Sequence, residues 1–276
     1  MPVLRTSKLT PCEQRGQFWF KRDDLYSFAG VNGGKVRTCR ALAVGAVGLV
    51  TAGARASPQC EIVAYIGRAI GVPVRVHTPS GALGKPLISA NKCGAEIVQH
   101  RPGYNTVLIA RARQDAAMRG WKEIPFGMEC LEAIRQTRTQ TANLPYGQFT
   151  RLVVPVGSGM SLAGILWGLR DVNEDIAILG AVVGASPEKR LDRWGPYGWR
   201  KKVTLINAGT PYHQPAISTK LNGLHLDPFY EAKCSPFMQP GDLLWVVGIR
   251  RLIDEKGGQI DSAPNIHAAD TVLSRR

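Results

Sequence analysis

An α/β fold of two lobes with parallel-rich sheets flanked by helices is predicted by three features of the chain. Short apolar segments alternate with stretches of helical periodicity. Two of the apolar segments run directly into small-residue turns at helix starts, around Ser57 and Gly157. Proline and glycine punctuation at Asn143-Leu-Pro-Tyr-Gly147 breaks the alternation into two runs. Alternating strands and helices bury both faces of a parallel sheet, so the strands read as nearly continuous apolar runs.

Taken in order, Gln17–Lys21 reads as a strand and Val36–Gly48 as a helix after a glycine turn. Gly48–Ala52 is a short buried strand. Gln59–Ile70 is a helix, because Ile62, Val63, Ile66 and Ile70 fall on one face. Pro73–His77, Ala95–Gln99 and Trp121–Pro125 are extended, separated by helices over Ala82–Cys93 and Thr106–Arg119. Glu129–Thr139 is a helix. Arg151–Val156, Ile176–Val183 and Asp242–Val247 are apolar strands, and Leu162–Arg170 is a helix. Residues 36–143 form the predicted smaller lobe. Residues 1–35 and 144–276 form the larger one, which is expected to bind a cofactor.

Composition narrows the function classes. The chain has 276 residues, of which 44% are hydrophobic, enough for real cores and against wholesale disorder. Its six cysteines are scattered without a Cys-x-x-Cys pair and its five histidines are dispersed, so no metal site is expected. The scattered cysteines fit a reducing cytosol. With no secretory pattern or membrane-length apolar run, they give a cytoplasmic expectation, the host cytoplasm if the protein is viral. The net charge is +14, from 35 Lys and Arg against 21 Asp and Glu. Small-metabolite chemistry does not need such an excess, whereas contact with a polyanion does.

Four segments carry candidate chemistry. Asn32-Gly-Gly-Lys35 sets a lysine beside glycines. A lysine amine forms a Schiff base with an aldehyde cofactor, and glycines allow that cofactor close to the backbone. Gly157-Ser158-Gly159-Met160-Ser161 lies between a strand and a helix, where backbone N–H groups and the helix dipole favour phosphate. A dinucleotide site is the rival there, but the third glycine falls at Gly164 and no acidic ribose partner is evident. Ser57-Pro58-Gln59 offers a hydroxyl and an amide at a helix start, and serves equally as an N-cap. Asp227-Pro-Phe-Tyr230-Glu231 supplies a carboxylate of the kind that holds a pyridine nitrogen protonated.

These segments, with Trp19-Phe-Lys-Arg-Asp-Asp-Leu25, Gly33-Gly-Lys35-Val-Arg37 and Asn91-Lys-Cys-Gly-Ala-Glu-Ile97, resemble in order the fold type II pyridoxal 5′-phosphate (PLP) enzymes. The similarity is to the tryptophan synthase β-like group and its branch of 1-aminocyclopropane-1-carboxylate deaminase and D-cysteine desulfhydrase. The resemblance covers most of the chain. It implies that Lys35 holds PLP, that Gly157, Ser158, Gly159, Met160 and Ser161 bind its phosphate, and that Glu231 faces the ring nitrogen. It places Ser57 near the reacting carbon or its carboxylate, and puts Gln59, Tyr230 and Tyr212 in the pocket wall. Lys35, Ser57, Tyr230 and Glu231 form the expected catalytic set, and a homodimer is the expected assembly.

Four positions depart from the family pattern. The lysine motif is Asn-Gly-Gly-Lys rather than Gly-Gly-Asn-Lys. Pro58 replaces an Asn that usually contacts the ring hydroxyl, and Met160 replaces a cradle glycine. Arg250-Arg251 stands where relatives often have His-Thr-Gly-Gly. Cations interleave with rings over residues 189–202, including Arg193, Trp194, Trp199, Arg200, Lys201 and Lys202, in a segment that reads as a loop. Rings stacking on unpaired bases and cations meeting phosphates would suit nucleic acid. Arg111, Arg113, Arg119, Arg135 and Arg138 add to the field. The favoured expectation is therefore a PLP-dependent lyase, such as a decarboxylase, acting on an amino-acid-modified base in DNA, as in phage-type hypermodification. The alternative is a small-molecule deaminase or desulfhydrase.

Overall fold

The computed structural model describes residues 8–248. The chain enters as an antiparallel pair, β1 (Cys12–Arg15) and β2 (Phe18–Arg22). A small hairpin, β3 (Ser27–Phe28) and β4 (Val31–Asn32), leads into α1 (Gly34–Leu42). Strands and helices then alternate: β5 (Leu49–Ala52), α2 (Pro58–Ile70), β6 (Val74–Pro79), α3 (Lys85–Lys92), β7 (Glu96–His100), α4 (Asn105–Arg119) and β8 (Lys122–Ile124). After α5 (Leu131–Gln140) the alternation resumes with β9 (Arg151–Val156), α6 (Met160–Asp171), β10 (Ala177–Val182), α7 (Glu188–Trp194) and β11 (Val203–Asn207). A second hairpin, β12 (Lys220–Leu221) and β13 (Leu224–His225), precedes β14 (Asp242–Val246).

Two sheets organise these elements. One has the order β7-β6-β5-β8, parallel throughout, and is built wholly from residues between 49 and 124. The other has the order β1-β2-β14-β9-β10-β11 and is parallel except for the β1–β2 pair. The N-terminal β2 is therefore hydrogen-bonded to the last described strand, which closes the larger sheet around β9. Strands β5, β9 and β14 are buried almost end to end, as expected where helices or loops cover both faces.

The predicted elements form with boundaries shifted by a few residues. One prediction needs correction. Residues 189–202 are not a loop: they contain α7 and a 3-10 turn at Trp199–Lys201. Trp199 is buried in the larger core, and its ring nitrogen donates to Asp192 at 3.0 Å. Gly164 also acquires a reason of its own. A Cβ there would lie 2.6 Å from Thr137 Cβ and 2.9 Å from the Ile134 carbonyl. It is a close-approach point between α5 and α6, not part of a dinucleotide fingerprint.

Candidate active site

The turn carrying Lys35 is fixed from two sides. Arg37, one helical step beyond, donates to Asp23 at 2.6 Å, with both side chains buried. Asp23 also accepts from the Thr10 hydroxyl at 2.9 Å and the Trp245 ring nitrogen at 3.2 Å. Beside it, Arg22 closes on Asp24 with two N–H donations at 2.9 and 2.7 Å. The charged run Lys21-Arg22-Asp23-Asp24 is thus a buried ionic platform at the end of β2. From the other side, the Gly34 N–H donates to the Val247 carbonyl at 2.9 Å. Gly33 adopts φ +105°, and a Cβ on it would sit 2.9 Å from that carbonyl, so both backbone angle and space demand glycine. Lys35 follows in the first turn of α1.

Four more segments meet Lys35 around one cavity of about 420 Å³. They enter from the carboxyl ends of β5, β8 and β9 and from the turn before Glu231, the usual place for ligands in open parallel sheets. The β9–α6 connection, Gly157 to Ser161, lines it. Gly159 takes φ +87°, turning the chain so that the first-turn N–H groups of α6, which lack intrahelical partners, are presented at the cavity wall. At Gly157 a Cβ would come 3.0 Å from the Tyr230 hydroxyl, so bare backbone is required there too. Ser158 donates its hydroxyl to the Gly127 carbonyl at 3.0 Å, tying this cradle to the loop after β8. Met160 is buried and packs into the core of the smaller sheet's layer.

Ser57 caps α2, accepting from the Gln59 N–H at 3.4 Å, with Pro58 at the first helical position. Gln59 is buried in the wall, but its amide nitrogen is committed to the Thr51 hydroxyl at 3.0 Å and the Pro125 carbonyl at 2.8 Å. It therefore also braces β5 against the loop after β8, and its carbonyl side is the part left for a ligand. Tyr212 lies in the wall; the Lys233 amine, donating to the Pro211 carbonyl at 2.7 Å, anchors its loop.

Glu231 is fully buried. One carboxyl oxygen accepts from the Val247 and Gly248 N–H groups at 2.9 and 3.0 Å. The other, Oε2, has no hydrogen-bond partner among the described residues, although its side chain is in the cavity wall. Burial first, and then the neighbouring Asp227 charge, push the Glu231 carboxyl well above the usual carboxylate range. Burial also raises the Tyr230 hydroxyl, followed by the Glu231 charge, so it stays protonated next to Gly157.

Residues 1–232 match the family of pyridoxal-phosphate dependent enzymes. The chain belongs to that family. Similar solved structures include an ACC deaminase homologue at 21% identity, covering 88% of this chain and 90% of that one, with a TM-score of 0.72. Threonine deaminase isoform 2 from Solanum lycopersicum is 16% identical over 90% of this chain and 85% of its own, with a TM-score of 0.62. Serine racemase from Dictyostelium discoideum is 16% identical over 87% and 91%, also at 0.62. No curated protein matches the sequence significantly. The fold is that of the type II PLP enzymes, and the residues fit the cofactor. Lys35 supplies an amine, the Gly157–Ser161 turn a phosphate cradle free of Cβ at Gly157, and Glu231 Oε2 a buried acceptor that lacks a donor.

Among the described residues of this PLP-dependent enzyme there is no cluster able to hold a metal ion, and no helix long and apolar enough to cross a membrane. The polyanion segment changes character. Trp199 is buried and so is not free to stack on a base, while half-buried Trp194 donates its ring N–H to Glu129 at 3.2 Å. Arg200 pairs with Asp192 through two nitrogens, and Lys202 lies 3.2 Å from Asp175. Arg193 stacks on Trp194 at 4.9 Å, and Lys201 is exposed. Arg113, Arg119, Arg135 and Arg138 pair with Glu123, Asp115, Glu132 and Asp171. Arg250 and Arg251 lie outside the described residues. Two cavity residues that carry charge, Glu129 and Arg190, were not picked out as site residues from the sequence. Arg190 stood only within the basic run, and no local pattern links it to a glutamate 61 positions earlier.

Proposed function

We propose that the chain is a PLP-dependent lyase that breaks a bond at the α-carbon of an amino-acid group. The observation that carries this reading is the convergence on one cavity of Lys35, the Gly157–Ser161 cradle and the unpartnered, buried Oε2 of Glu231. When bound, PLP supplies the electron sink that takes up the pair released at the α-carbon.

The chain's own groups divide the remaining work. The Lys35 amine would hold the cofactor, and as a free amine would be the base that moves a proton to or from the α-carbon. The α6 N-terminus and Ser161 take the phosphate, where backbone N–H groups and the helix dipole favour an anion. Glu231 Oε2, on a carboxyl raised by burial, would meet the ring nitrogen and favour a proton held there. Ser57 and the first turn of α2 receive the substrate's α-carboxylate for the same reason that α6 receives phosphate. Pro58 offers no N–H at that turn, so the Gln59 N–H, bonded to the Ser57 hydroxyl oxygen, is the first backbone donor of α2 at the cavity wall.

Deaminases and a racemase among the similar structures support a free amino acid as substrate. A second reading, decarboxylation of an amino-acid group carried on a DNA base, is favoured by one observation. Besides the +14 charge, exposed Arg55 and Arg101 follow β5 and β7, and exposed Lys85 opens α3 after β6, so all three lie past the carboxyl ends of the smaller sheet's strands. A base would have to be flipped into the cleft at a cost of a few kcal/mol.

The test is direct. Purified protein should show a visible cofactor band that Lys35→Ala removes, along with turnover. Candidate amino acids and amino-acid-modified DNA are then compared as substrates, by ketoacid or amine release and by nucleoside mass spectrometry. A band that survives Lys35→Ala would sink the lyase reading. Turnover of free amino acids without salt-dependent DNA binding would eliminate the DNA reading.

A further inference from the structure

Two side chains in the cavity wall carry positive charge, Lys35 and Arg190. Lys35 is taken up by the cofactor in the reading above, on which this inference rests. Arg190 lies on α7 and donates through Nε alone to Glu129 Oε2 at 3.2 Å. Its two terminal nitrogens make no hydrogen bond among the described residues. Arg22, Arg138, Arg151 and Arg200 each close a carboxylate with two nitrogens, whereas Arg15, Arg113 and Arg119, which also donate to a carboxylate through Nε alone, do not line the cavity. The NH1/NH2 edge, like the Nε edge, can grip a carboxylate or phosphate with two parallel bonds, as in Arg200. In Arg190 that edge is unused, and the side chain is 37% exposed in the cavity wall.

Glu129 is itself held in place. Its second oxygen accepts from Trp194 Nε1 at 3.2 Å, and the Trp194 carbonyl accepts from Trp167 Nε1 at 2.8 Å. The preceding residue, Met128, is buried with φ +57°, a left-handed conformation that a bulky side chain adopts only when its surroundings impose it. The chain thus spends local strain immediately before Glu129. A carboxylate fixed from both sides, bonded to Nε, aims the rest of the guanidinium and leaves its outer edge to a ligand.

We infer that Arg190 binds a second oxyanion of the substrate, a carboxylate or phosphate distal to the α-carbon, with Glu129 as its positioning residue. The substrate's α-carboxylate already has the α2 N-terminus, and the cofactor phosphate has the α6 N-terminus. Arg190 is a third anion site without an assigned anion.

The experiment titrates the holoenzyme with matched amino acids and follows the change in the cofactor's visible band. Aspartate against asparagine reads a distal carboxylate, and O-phosphoserine against serine reads a phosphate, each in both enantiomers. The wild type should bind the anionic member of at least one pair about 10-fold or more tightly than its neutral partner. Arg190→Gln should erase that ratio. Arg190→Lys, which keeps charge but loses the fork, should retain part of it, and Glu129→Gln should reduce it with a smaller effect on the neutral partner. Equal binding within both pairs by the wild type, which needs no variant, would overturn the assignment. So would an undiminished ratio in Arg190→Gln or, if that variant does not fold, in Arg190→Lys. An interlobe brace alone would change the melting temperature and leave the ratio intact. A wild-type protein with no cofactor band would instead remove the enzyme reading itself, and this assignment with it.

Discussion

Glu231 spends one oxygen on two backbone N–H groups and keeps the other unpartnered inside the protein. Its carboxyl is raised above the ordinary value of 4.5, by burial and then by Asp227. Between that ordinary value and the raised one, the folded state binds more protons than the unfolded state, so stability falls as pH rises through the interval. Apoprotein carrying Glu231→Gln escapes this penalty. Its melting temperature should exceed that of wild-type apoprotein at about pH 8 and lose the advantage toward about pH 5. With cofactor bound the order of fitness reverses, because the ring nitrogen loses its carboxyl. Turnover should fall by about 10²-fold, the scale of one positioned proton-holding group. A pH-independent difference between the two apoproteins would contradict the burial argument.

At the scale of the element, α1 is a short helix whose value lies in where its first turn points. Propensity does little for it, since it opens on glycine and carries β-branched residues. Its position is imposed from outside by the Arg37–Asp23 pair and the Gly34–Val247 hydrogen bond. Removing one partner of a buried pair leaves the other charge without compensation, at about 3–5 kcal/mol. Arg37→Met should therefore lower unfolding free energy by that amount in denaturant titrations. It should also weaken the cofactor band, because Lys35 loses its register. A variant with both partners replaced, Asp23→Leu with Arg37→Met, should recover only part of the stability, because buried Trp245 then loses its acceptor, and should not recover the band.

Across the whole molecule, Lys21 joins the N-terminal strand to the crossover between the two sheets. Its buried amine donates to the Thr10 carbonyl at 2.6 Å and to Asn143 Oδ1 at 2.5 Å. Burial lowers its pKa from 10.5 to about 8. The neutral amine still donates to both acceptors, so deprotonation removes the burial cost and leaves the joint intact. Between about pH 8 and 10.5 the unfolded chain holds a proton that the folded chain has shed. Stability contributed by this site therefore rises with pH, with a slope of up to about 1.4 kcal/mol per pH unit. Measured against Lys21→Met, wild type should gain stability across that window and show no such gain below it. Much of the positive charge is paired locally, as Arg113, Arg119, Arg135 and Arg138 are with nearby acids.

The order of elements, the parallel sheets and the three motifs around Lys35, Gly157 and Glu231 were all legible in the sequence. Each depends on residues close together in the chain: alternating apolar runs, a glycine beside a lysine, a strand that meets a small-residue turn. The fate of residues 189–202 was not legible, because whether a tryptophan faces a base or a core depends on what packs against it. Nor was the burial of the charges after Phe20 legible, because Arg37 and Trp245, which meet Asp23, lie elsewhere in the chain. The sequence by itself determined the cofactor chemistry, since only particular side chains and bare backbone can supply it. Only the tertiary structure decided which charged side chains meet in the cavity wall. Glu129 and Arg190 come from different segments, and it is the meeting of two sheets across a cavity that puts a carboxylate on one edge of a guanidinium and leaves the other edge open.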